Sequence, residues 1–125
     1  MTRDARQPEG MRPPRPPYSP VVVSGDLVFS AGQVAFDAEG NLVPGGIEEQ
    51  TRQVLANVAG CLAAADCGMD DVVKVGVYLA DLRDFEAFNR EYASHFTPPY
   101  PVRTTVQAGL ADGLLVEIEV VARRP

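Results

Sequence analysis

Residues 72–108, VVKVGVYLADLRDFEAFNREYASHFTPPYPVRTTVQA, change their apolar period twice. From Val72 to Leu79, Val73, Val75 and Val77 alternate with Val72, Lys74, Gly76 and Tyr78, which predicts a strand. Asp81 or Asp84 offers a capping carboxylate for the next helix. Phe85, Phe88, Tyr92 and Phe96 then recur at spacings of three, four and four, the stripe of a helix buried on one side. Pro98-Pro99-Tyr100-Pro101 ends that helix, and Val102 to Ala108 returns to the β period.

Upstream, Ile47 to about Asp66 reads as a long helix with Ile47, Val54, Leu55, Val58, Leu62 and Ala65 on one face. Glu48 and Glu49 suit its N-terminus, Gly68 is its natural stop, and Gly60 in its interior suggests close packing. Val21-Val22-Val23 and Leu27 to Ala35 flank the turn Ser24-Gly25-Asp26 and read as a hairpin. Downstream, Leu114 to Ala122 is a last strand. Gly109 and Asp112-Gly113 lie before it, so it reads as a hairpin with Val102 to Ala108. The order is ββ-α-β-α-ββ: one α+β domain over residues 18–125, with two helices packed on one face of a sheet. Residues 1–17, five of them proline, read as a flexible tail, and Pro16-Pro17 stiffens the approach to Tyr18.

A chain of 125 residues is one domain. Its net charge of −6 argues against nucleic-acid partners and against an anionic membrane surface. No apolar run is long enough for a membrane helix and the N-terminus is polar, which makes the cytoplasm the expected location. Cys61 and Cys67 fall on different helix faces, so a disulfide between them is not expected; they read as a buried thiol and a helix-end residue. His95, the single histidine, reads as a last-turn residue favouring the helix dipole, and no metal-ligand spacing is present.

Chemistry concentrates on the last two strands. Arg103, Thr105 and Gln107 share one face of the first, and Glu117 and Glu119 share one face of the second. If Val102, Val106, Ile118 and Val120 all join the core under the helices, Arg103, Thr105, Glu117 and Glu119 line the opposite face together. A cross-strand ion pair on a solvated sheet explains these residues as well as a site does.

Five stretches decide between those readings: Tyr18-Ser19-Pro20; Ser30-Ala31-Gly32-Gln33; Gln50 to Asn57; Asp84-Phe85-Glu86-Ala87-Phe88-Asn89-Arg90-Glu91-Tyr92; and Tyr100-Pro101-Val102-Arg103-Thr104-Thr105-Val106 with Val116-Glu117-Ile118-Glu119. Together they resemble the RidA (YjgF) family of enamine/imine deaminases, from about Tyr18 to Ala122. The resemblance implies a sheet like that of trimeric chorismate mutase, a homotrimer whose sheets meet in a barrel-like centre, and a cleft site in each subunit. It implies that Arg103 clamps a substrate carboxylate and that Glu117 holds and polarises the attacking water. Glu119 is then structural or interfacial. Tyr18, Ala31, Gly32, Asn89 and Thr105 are the implied substrate-binding positions. The implied reaction is hydrolysis of small imines to 2-oxo acids and ammonia, with no cofactor and no metal. Ala31 stands where the best-known members carry serine, Thr105 where they often carry cysteine, and Pro17 where glycine precedes the tyrosine. Two alternatives stay open on the same residues: a non-catalytic trimer that binds a 2-oxo acid, and a deaminase of another intermediate, of the aminoacrylate or aminomuconate type.

Overall fold

A computed structural model describes residues 2–125. Six strands, β1 (Asp4–Arg6), β2 (Val21–Ser24), β3 (Leu27–Ser30), β4 (Val72–Leu79), β5 (Val102–Gln107) and β6 (Val116–Arg123), form one sheet in the order β1-β2-β3-β6-β4-β5. Helices α1 (Ile47–Ala63) and α2 (Phe85–Ala93) pack on one side of it. β4 keeps the bounds its alternation predicts, except that Val73 is an exposed bulge residue between the Val72 and Lys74 pairings.

The core lies between sheet and helices. Val75, Val77 and Leu79 of β4 and Val116, Ile118, Val120 and Ala122 of β6 meet Val54, Leu55, Val58 and Leu62 of α1 and Phe88 and Tyr92 of α2. Each fully buried side chain of this kind contributes roughly 1.5–3 kcal/mol. Gln50, buried in α1, donates to Gly113 O and accepts from Leu115 N, both at 2.9 Å, and so fixes the entry to β6.

Four expectations are corrected. The last two strands are not a hairpin: β5 pairs with β4 in parallel, and β6 inserts between β3 and β4. The helix between β4 and β5 permits a parallel pairing, and the link 108–115 is long enough to carry the chain back past β4. Nor are residues 4–6 a flexible tail, because β1 pairs with β2 along the sheet edge and Arg6 donates to Ala64 O at the end of α1. Met1 lies outside the described residues. Finally, α1 ends through Asp66 at positive φ rather than at Gly68, and a Cβ on Gly60 would meet nothing within 4 Å, so that glycine is not a close-packing device. Gly60→Ala should therefore stabilise the chain by about 0.5–1 kcal/mol, the helix-interior cost of glycine. A denaturant midpoint unchanged or lowered in that variant would contradict the open space beside it.

Candidate active site

Parallel pairing decides where Arg103 points. It is registered with Val75, and Thr105 with Val77, and directly paired residues share a sheet face. Val75 and Val77 are core residues, so Arg103 and Thr105 lie on the helix side. Val102 and Val106, expected in the core, point the other way and are 67% and 41% exposed. β5 is the edge strand, and the aromatic stripe of α2 covers its inner side. The Arg103 Cζ lies 5.7 Å from the Phe85 ring centre, 5.4 Å from that of Phe88 and 4.8 Å from that of Tyr92. Asn89 falls on the same helix stripe. Asn89 Oδ1 on α2 and Thr105 Oγ1 on β5 are buried without a hydrogen-bond partner among the described residues. Unpartnered buried polar atoms are costly, and these two, on the elements that carry the rings and Arg103, mark a place able to receive polar groups. Burial raises the Tyr92 phenol, with Arg103 opposing.

Glu117 occupies the other face. It is registered with Tyr78 and Glu119 with Gly76, the β4 residues that alternate away from the core. The expected joint face of Arg103 and Glu117 within one chain is thus wrong, because it placed Val102 and Val106 in the core, whereas the register of β5 on β4 turns Arg103 and Thr105 inward instead. A bridge between Gln33 and Ile118, with bonds of 2.8 and 3.1 Å, lays the Gly32 backbone beside Glu117. A Cβ on Gly32 would sit 2.1 Å from Glu117 Oε2, so only glycine leaves that carboxylate in place. Burial first, and the neighbouring Glu119 second, raise the Glu117 carboxyl above its ordinary range. Glu119 is otherwise engaged, accepting from the Tyr78 hydroxyl, whose own ionisation that bond pushes up. Tyr78 carried no signal in the sequence beyond its alternation.

Tyr18, 53% exposed, and Gly32 line a groove of about 390 Å³ between the 8–20 segment, the loop after β3 and α1, together with Arg12, Gln53 and Asn57. Ala31 N donates to Pro20 O at 2.8 Å, which ties the Tyr18 segment to Gly32. Ser30 is no substitute for the hydroxyl missing at Ala31, since its Oγ accepts from Val120 N at 3.0 Å inside the sheet. His95 bonds Glu91 at 2.8 Å, and Arg52 bonds the same carboxylate at 2.7 Å, which joins α2 to α1 and leaves the single histidine in a structural role. Both cysteines are free, Cys61 buried with its thiol raised to about 11 by desolvation. Among the described residues, no three His, Cys, Asp or Glu side chains converge as a metal-ligand set.

The family model described as endoribonuclease L-PSP matches residues 10–124. The chain belongs to this family, the RidA (YjgF) family. A 2-iminobutanoate/2-iminopropanoate deaminase of Capra hircus is 43% identical over 108 residues, covering 85% of this chain and 79% of that protein. A RutC family protein of Pyrococcus horikoshii is 42% identical over 113 residues, covering 87% and 90%. The crystal structure of RidA from an Antarctic Psychrobacter species superposes with a TM-score of 0.90 at 35% identity, covering 97% of this chain and 99% of that one. In this RidA-family chain β5 presents Arg103 and Thr105 to the helix side of the sheet, where Asn89 of α2 lies, and β6 presents Glu117, with Gly32 beside it, to the other. No helix of the described residues is long and apolar enough to cross a membrane.

Proposed function

We propose that this RidA-family chain hydrolyses small 2-imino acids to 2-oxo acids and ammonia, at a site completed between two copies of itself. The observation that carries this reading is the separation of a free guanidinium and a desolvated carboxylate onto opposite faces of one sheet. Each is half of a hydrolytic site, and neither can reach the other in one chain. A second copy brings the missing half. The outer sheet face supports association: Phe29, Val121, Lys74 and Val102 form a row across it, and Phe29 and Val102 are exposed in the single chain, as are Leu27 and Val106. Apolar surface of this kind is usually covered by a partner, and a ring of three closes with each chain giving Arg103 to one site and Glu117 to the next.

In that site Arg103 grips the substrate carboxylate with two parallel hydrogen bonds. The grip fixes the imine carbon against a water held by Glu117 beside Gly32. As the water oxygen bonds to carbon, the C=N π pair passes to nitrogen, which takes a proton from solvent, while Glu117 takes a proton of the water, giving a carbinolamine. Glu117 then gives its proton to nitrogen, the carbon–nitrogen bond breaks with its electron pair leaving on nitrogen, the hydroxyl proton returns to solvent as the carbonyl forms, and ammonia and the 2-oxo acid leave. Atoms balance with one water consumed. Asn89 Oδ1 and Thr105 Oγ1 are free to bond the polar end of the substrate, Tyr18 borders the approach, and Ala31 leaves room where a hydroxyl would stand. The negative net charge disfavours an RNA substrate.

Mixed assemblies test the reading. Arg103→Ala chains and Glu117→Gln chains, each inactive alone, should regain activity when unfolded and refolded together, with about one site in four carrying both groups. Ammonia release is measured from an imine generated in situ by an amino-acid oxidase. A mixture as inactive as its components would sink the shared site.

A further inference from the structure

We propose that Tyr92, with Phe85 and Phe88, is a positioning device for Arg103: three aromatic faces hold the guanidinium while its N–H donors stay open to an incoming acid. The ligand named here rests on the deaminase reading, but the device does not. Three other arginines are held closely by carboxylates, Arg6 by Asp4 at 2.8 Å, Arg52 by Glu91 at 2.7 Å and Arg83 by Asp81 at 2.7 Å. A carboxylate partner occupies the guanidinium fork. Among the described residues Arg103 has no such partner, and its Cζ lies instead within 5.7 Å of three ring centres. A ring attracts the cation through the guanidinium face, whereas the donors lie in the guanidinium plane, so the hold leaves the fork unused.

The rings are themselves fixed. Phe88 is fully buried, and Tyr92 is nearly so, with its ring centre 5.4 Å from that of Phe88 and 4.7 Å from that of Phe96. Spacing of three and four residues places Phe85, Phe88 and Tyr92 on one helix stripe. Phe88 and Tyr92 thus both fill the core and aim the clamp, and Phe85 adds a ring at its rim. The Tyr92 hydroxyl lies near enough to the Arg103 guanidinium for the cation to oppose the rise of the phenol, so Tyr92→Phe, which keeps the ring and drops the oxygen, separates the two contributions.

Two measurements on the whole assembled protein decide this. In the proton–nitrogen spectrum of arginine side chains, the Arg103 Nε–Hε signal, assigned by its loss in Arg103→Lys, should lie well upfield of the free-arginine position through ring currents. It should move back toward that position in Tyr92→Leu and stay in Tyr92→Phe. In calorimetric titration with 2-oxobutanoate, Tyr92→Leu should weaken binding about 3- to 30-fold, the range of a partly desolvated cation–π contact. Tyr92→Phe should bind close to wild type, and KM should rise in the leucine variant with kcat little changed. Should Tyr92→Leu fail to fold, Phe85→Leu serves, because that ring is 40% exposed and its loss leaves the core intact. An Arg103 signal at the free-arginine position in the wild type, or leucine variants that fold, assemble and bind as the wild type does, would overturn the proposal. A wild type that binds no 2-oxo acid overturns the deaminase reading instead, and the ring-current shift then decides the positioning device alone.

Discussion

If the proposed reading holds, Arg103→Ala should lower kcat/KM for imine hydrolysis by about two to three orders of magnitude, the effect of losing a desolvated charge pair worth roughly 2–5 kcal/mol. The loss is expected in binding and in rate together, because the grip also places the imine carbon. Little stability goes with it. The guanidinium is not part of an ion pair in the chain and sits at the sheet edge over aromatic rings, so the melting temperature should fall by only a few degrees, as for about 1 kcal/mol. Arg103→Lys keeps the charge but not the planar fork, and recovers only a small part of the activity. Ammonia release and thermal melting of the three proteins check this in one series. Near-wild-type turnover in the alanine variant rules Arg103 out as the clamp.

Glu117→Gln removes the proton acceptor at almost constant volume, so Gly32 keeps its neighbour and the rate should drop about 10²- to 10⁴-fold. The same change is expected to stabilise the fold at neutral pH. Burial and the adjacent Glu119 raise the Glu117 carboxyl in the folded chain, so its charge costs stability above that raised value. The cost disappears as pH falls through the folded value to the unfolded one, and the stability gap between variant and wild type should close over that interval. Activity takes the opposite course. The water-holding form is the carboxylate, so the acid limb of kcat/KM lies above the ordinary glutamate range. Glu119→Gln removes the second cause of the shift and moves that limb to lower pH. A limb that stays in place, or a glutamine variant less stable than the wild type at pH 7, would show that Glu117 is not the group titrating.

Elements with their own period were legible. The α2 stripe, the β4 bounds and the inward faces of β4 and β6 come from local alternation, and Arg103 and Glu117 stood out by chemistry and resemblance. What escaped depends on neighbours distant in sequence. Whether Arg103 or Val102 faces the helices is set by the register of β5 on β4, not by anything within β5. The insertion of β6 between β3 and β4 is a long-range choice that a glycine-rich link disguised as a hairpin. β1 is three residues with a charge at each end, a composition that suits an edge strand and carries no periodic signal. The α2 aromatics read as core, which holds for Phe88 and Tyr92 but not for Phe85, 40% exposed; nothing in their spacing announced a cation resting on them.

The two faces of one sheet have a bearing on heredity. If a chain gives its guanidinium to one cleft and its carboxylate to the next, a subunit defective in both disables two clefts while occupying one place in the ring. With equal expression and random mixing, a damaged allele beside a sound one would then leave about one cleft in four intact, a loss of more than half the capacity.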